Sequence, residues 1–144
     1  MEALIHTHSG LRWVVLILLL VAIGRAFARK NSSLYDKSDK MINLFTMVSL
    51  HTQLLLGLIL YFASPKVVFV EGWMKVSQAR FYGMEHIAIM VIAIALVTIG
   101  RRKAENATEP AKKHKTIAVW YTIGLILILA SIPWPFRNLG AGWF

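Results

Sequence analysis

The sequence predicts an all-α membrane protein, a single four-transmembrane-helix domain over residues 1–144, and three observations carry that prediction. Hydrophobic residues make up 57% of the 144 and charged residues only 16%, a mixture too apolar for a water-soluble domain of this size. A hydrocarbon core takes about 20 mostly apolar residues per helix, and the chain offers four such runs. They lie at about 3–28, 41–63, 79–100 and 116–134. The segments "RKNSSLYDKSDK" and "RRKAENATEPAKKHK", which follow the first and third runs, are polar and loop-like. Helices joined this closely give an up-down-up-down bundle, with helices one and three diagonal and helices two and four diagonal.

Charge placement predicts the orientation. The net charge of +9 would point to nucleic acid or acidic lipid in a soluble protein, but here loops 25–40 and 101–115 hold 5 and 6 of the 16 basic residues. By the positive-inside rule both loops are cytoplasmic, and both termini and loop 64–78 face outward. Trp13, Tyr61, Trp73, Phe81, Tyr82, Trp134 and Trp143 then fall near the outer ends, and Tyr35, Trp120 and Tyr121 near the inner ones, as interfacial anchors do. The absence of cysteine excludes disulfides, thiolate metal ligands, iron–sulfur clusters and covalently attached haem. A metal would have to be held by histidine, methionine or oxygen.

The first run opens "IHTHSGLRW" before the unbroken "VVLILLLVAIG". Its trailing "AFA" imitates a signal-peptide cleavage site, but Glu2 ahead of the run and Arg25 and Arg29 around the site argue for a retained helix. The second run is polar along one side, with Asn43, Thr46, Ser49, Thr52 and Gln53, suited to a proton path, a quinone pocket or contacts between helices. The third repeats the layout of the first: polar outer end, apolar body, basic inner end. The fourth stops at "SIPWPFRNLG", where Pro133 and Pro135 remove backbone donors.

Within the spans the ionisable residues are few: His8 and Arg12 on the first, His51 on the second, Glu85 and His86 on the third. An ionised group at mid-bilayer costs roughly 2.5–3.5 kcal/mol on insertion scales, so each is expected to face the bundle interior. At about 1.5 Å of rise per residue, His8 and His86 lie within roughly 3 Å of one depth, whereas His51 is roughly 8 Å deeper. A single upright b-type haem needs two imidazoles at one level on opposite sides, which selects His8 and His86. His51 is an alternative axial ligand, or a partner with them in a three-histidine metal site. Arg12 shares the face of His8 and is placed to bind a haem propionate or to pair with Glu85. Gly10 and Gly83 would make room for a flat ring. His6 points away from His8 and is read as interfacial, and His114, in the basic loop, as solvated.

The stretches "HSGLRW", "HTQLLLGLILYF", "RFYGMEHIAIMVIAIALVTIGRRKA", "KKHKT" and "SIPWPFRNLGAGWF" together resemble small bacterial four-helix membrane proteins called cytochrome b-like. The resemblance covers nearly the whole chain. It implies a haem-binding membrane protein, with His8, His51 and His86 in the matching histidine-bearing stretches. There is a looser similarity to half of a haem A synthase or to b561-type bundles, which carry their histidines on other helices. The expectation is one-electron transfer through one haem b held by His8 and His86, with membrane quinone or a larger respiratory complex as partner. Two readings from other classes stand beside it: a non-redox accessory subunit of a membrane complex, and a protein that handles metal through His8, His51 and His86.

Overall fold

The computed structural model describes residues 1–144 and is all-α. Four helices are long and apolar enough to cross a membrane: α1 (Glu2–Ala28), α2 (Lys37–Ala63), α3 (Ser77–Asn106) and α4 (Pro110–Ser131). Helix α3 is continuous but contains one π turn, Phe81–Glu85. Helix α1 packs mainly on α2 and α4, and α3 on α2 and α4. The core between them is built of Val15, Leu19 and Ala22 from α1, Leu50 from α2, Ala93 and Val97 from α3, and Ile117, Tyr121 and Ile128 from α4. Large apolar side chains such as Ile17, Leu20, Leu55, Ile92 and Ile126 point outward, as a lipid-facing surface requires.

The boundaries differ from those expected for local reasons. Helix α2 begins at Lys37, four residues before its apolar run, because Asp36 and Asp39 form a reciprocal capping box. The Asp39 amide holds the Asp36 carboxyl below its ordinary pKa range. Helix α3 runs on to Asn106 through "RRKAEN", good helix formers that hydropathy alone does not count. Helix α4 starts at Pro110, with the proline at its first position, and ends at Ser131 instead of Trp134. The ring of Pro133 forces Ile132 into extended backbone, with φ −72° and ψ 134°.

Helices α3 and α4 approach closely through two glycines. A Cβ on Gly100 would lie 2.2 Å from Cβ of Trp120, and one on Gly124 would lie 2.6 Å from Cγ2 of Val97. The end of the bundle where α1 meets α2 is closed by polar contacts. Asp39, 3% exposed, accepts from Arg25 and Arg29, both at 2.8 Å. His114 is 2% exposed, with Nε2 2.8 Å from the Leu34 carbonyl. The expectation of a solvated His114 is therefore corrected: the 28–36 segment folds back over the start of α4 and covers it. Tyr121 is likewise no interfacial anchor; it is fully buried and donates to the Asn43 carbonyl at 2.7 Å. Tyr35 donates to Glu105 at 3.0 Å and accepts from Asn43, and burial pushes its hydroxyl pKa up to about 12.

At the opposite end, residues after α4 form a strap. Trp134 donates to the Leu129 carbonyl and Arg137 to those of Ala130 and Ile132, satisfying groups the helix end leaves open. Asn138 and Gly140, at φ 55° and 76°, turn the strap back across the bundle.

Candidate functional site

All four helices and the strap enclose one cavity of about 170 Å³. Its walls are mainly apolar, with Val15, Leu50, Leu54, Met90, Ile94 and Ile128 among them. Into it converge His8, Ser9 and Arg12 from α1, Gln53 from α2, Lys66 from the following loop, and Tyr82 and His86 from α3. An apolar pocket with a few convergent polar groups is the usual form of a ligand site.

His8 and Arg12 lie one turn apart, so the same face of α1 that buries Val15, Leu16 and Leu19 carries both inward. His86 is set by the π turn. The His86 amide bonds to the Phe81 carbonyl, five residues back, and the widened turn brings the two side chains together, with ring centroids 5.3 Å apart. Nδ1 of His86 lies 2.7 Å from the Ser131 carbonyl, which fixes the ring and leaves Nε2 as the nitrogen free for other contacts. The His8 and His86 rings stand edge to face, centroids 6.5 Å apart and planes at 81°. Two imidazoles sharing one metal ion, with bonds of about 2 Å on each side, need centroids roughly 6 Å apart. Packed rings in any core reach the same spacing, so the separation alone does not decide.

The same cavity also gathers unpaired polar atoms. Buried side-chain atoms without a hydrogen-bond partner include Nδ1 of His8, Nε of Arg12, Oε1 of Gln53 and the hydroxyl of Tyr82, all lining this cavity, and Oγ of Ser131 beside His86. Each such atom costs on the order of 1–3 kcal/mol if it stays unpaired, and gathering them around one space is what a ligand or water cluster would offset.

Arg12, 8% exposed, donates to the Trp143 carbonyl at 2.5 Å and lies 5.4 and 5.7 Å from the Trp13 and Trp134 rings. Lys66 donates to the Gly140 carbonyl. Both cations at the cavity are thus held by carbonyls of the strap.

Several expected partnerships are not formed. Glu85 pairs with Arg80 at 2.6 Å rather than with Arg12, because the π turn carries it away from the cavity. Gly83 makes room for Trp73 and Phe69 of the covering loop, and Gly10 faces open space. The glycine that matters is Gly57, where a Cβ would come within 3.2 Å of Cε1 of His8. His51 is exposed, bonds Thr98 at 2.9 Å and does not reach His8 or His86, so no three-histidine group assembles and no cluster of three metal-ligating side chains exists. His6 is exposed and outside the cavity. Of the polar side of α2, only Gln53 enters the cavity; its amide nitrogen donates to the His8 carbonyl at 2.7 Å.

Sequence reasoning missed Gly57, Lys66, Tyr82 and the strap. The isolated glycine in "LLLGLIL" was the one available signal, since a glycine inside an apolar helix marks a close approach. No family model matches the chain, and no curated protein or solved structure matches it significantly. What the fold and cavity define is a protein with four membrane-spanning-length helices around a central, partly polar pocket.

Proposed function

We propose that this protein binds one b-type haem between His8 and His86 and serves in one-electron transfer within the bacterial inner membrane, with quinone or a larger respiratory complex as partner. The observation that carries the reading is the convergence of two imidazoles, one from α1 and one from α3, on a cavity whose buried polar atoms lack partners. The arrangement belongs to an up-down-up-down bundle whose basic end, 25–40 and 101–115, is cytoplasmic and whose cavity end is periplasmic.

The donor set fits the cofactor. His8 and His86 supply nitrogen ligands, the Ser131 carbonyl orients His86, and Arg12 and Lys66 supply positive charge for acidic substituents. Bound haem would contribute reversible one-electron iron chemistry. The apolar walls keep water from the ligands, and the absence of a Cβ at Gly57 lets the His8 ring lie against α2. At about 170 Å³ the cavity is smaller than the roughly 300–1,000 Å³ of ordinary ligand sites. Loading would therefore require the strap to move off the cavity, releasing Arg12 and Lys66 from its carbonyls.

The test is a pyridine haemochrome spectrum of the purified protein after expression with ample haem. Stoichiometric haem with a reducible low-spin band is the expected result, and colourless protein would overturn the proposal. Elemental analysis of the same sample separates haem iron from another bound metal.

A further inference from the structure

A second cavity, an open surface depression of about 370 Å³ whose Lys103, Asn106 and Lys112 are exposed, lies where α3 ends and α4 begins, far along the bundle from His8 and His86. It is lined by Lys103, Asn106, Ala107, Lys112, Thr116 and Trp120. We propose that it is a binding site for a phosphate group, in the first place the phosphodiester of an anionic lipid headgroup.

The cations there are unspent. Elsewhere at this end, Arg25 and Arg29 are taken by Asp36 and Asp39, Lys40 by Glu105, and Lys113 by the carbonyls of Ala104 and Glu105, while Lys30, Lys37, Arg101, Arg102 and Lys115 are unpaired but lie outside this depression. Lys103 and Lys112 form no ion pair or hydrogen bond within the chain, and they converge on one cavity with the amide of Asn106 and the hydroxyl of Thr116. The Asn106 amide adds a neutral donor that a phosphate oxygen accepts from, while the Thr116 hydroxyl donates to the Lys112 carbonyl at 2.8 Å.

The cavity is also built to hold its shape. The Lys113 ammonium bridges the last carbonyls of α3, and the Ala107 amide bonds back to Lys103 and Ala104, so the turn between the helices is tied. Trp120 is seated against Gly100, where no side chain but hydrogen fits, and its ring lies 5.7 Å from Nζ of Lys103. An indole at the end of an apolar helix belongs at the headgroup level, and basic pockets between transmembrane helices at that level suit phosphate-bearing headgroups. A free phosphate offers the same chemistry.

Trp120 supplies the readout, because the other four tryptophans lie at the cavity end of the bundle or its covering loop. The full chain is reconstituted in vesicles containing brominated phosphatidylglycerol or brominated phosphatidylcholine, and fluorescence quenching is compared with that of a W120F variant to isolate Trp120. Trp120 should be quenched preferentially by phosphatidylglycerol. The K103Q/K112Q variant should lose that preference by roughly tenfold, as two lysines near an anionic surface imply. An R102Q/K115Q variant, which removes equal charge from exposed positions outside the cavity, should keep it. If millimolar inorganic phosphate relieves the quenching, the site also takes free phosphate. Equal quenching by both lipids, or equal loss in both double variants, would overturn the proposal.

Discussion

The two ends of this bundle bury polar groups in opposite ways. At the basic end, Asp39 is met by two arginines and the Asp36 amide, His114 by a carbonyl, and Tyr35, Asn43, Tyr121 and Glu105 by one another. At the histidine end, His8, Arg12, Gln53, Tyr82 and Ser131 each keep a buried atom without a partner, against Arg101 alone at the basic end and Thr122 in mid-α4. The two-ended contrast separates polar residues that hold the fold from polar residues held ready for something else. A buried charge is tolerated only when paired, so the first set is explained by the chain alone and the second is not.

That contrast can be broken or sharpened by substitution. The largest effect is expected at the ligands: His8→Ala and His86→Ala should each abolish the low-spin haem spectrum while the helices remain folded by circular dichroism. Retention of the wild-type spectrum in either variant would remove that histidine from the ligand pair. His51→Ala should leave the spectrum unchanged, since His51 faces Thr98.

Asp39→Asn should act in the reverse sense. The arginines left behind, 35% and 24% exposed, stay solvated, so the loss is that of weakened hydrogen bonds at a buried carboxylate, on the order of 1–2 kcal/mol. Denaturant unfolding in detergent should show that loss with the haem spectrum of the folded fraction intact. A changed spectrum would mean that the two ends are coupled.

Gly57→Ala is a subtler test of the histidine end. Its new Cβ, 3.2 Å from the His8 ring, must push that ring by a few tenths of an ångström. The clash costs on the order of 1 kcal/mol, close to the helix propensity that alanine gains over glycine. Stability should therefore move little while haem retention or midpoint potential shifts, measured by gel filtration and redox titration.

The smallest effect concerns alkaline pH at the basic end. Burial raises the Tyr35 pKa from 10.0 to about 12, so the folded state keeps the proton longer than the unfolded chain does. The associated stability is fully present below pH 10 and is lost as pH rises through about 12. Tyr35→Phe should flatten the unfolding-versus-pH curve in that window, and an unchanged slope would show that another group is responsible. At neutral pH the same variant should lose about 1 kcal/mol with its hydrogen bonds to Glu105 and Asn43.

Much of the fold was legible because hydropathy is local. Four apolar runs specify four helices whatever their neighbours do, and Pro133 marks an end by a rule that acts within one turn, whereas the start of α2 at Lys37 was missed because its Asp36–Asp39 box lies outside the apolar run. Helix periodicity likewise put His8 and Arg12 on one face, and depth arithmetic matched His8 with His86. Partnerships across helices were not legible in the same way. Whether Arg12 meets Glu85 or the Trp143 carbonyl depends on a π turn and on a strap 131 residues away in sequence.

By itself, then, the sequence determined that four helices form, where the basic residues cluster, and which histidines share a level. Those properties follow from composition and from a fixed rise per residue. Only the tertiary structure decided that His114 is buried and His51 is not, that Gly57 rather than Gly83 borders the His8 ring, and that the strap holds Arg12 and Lys66. The physical reason is that a polar side chain in a bundle takes whichever partner packing brings within hydrogen-bonding distance, and packing is a property of all four helices at once.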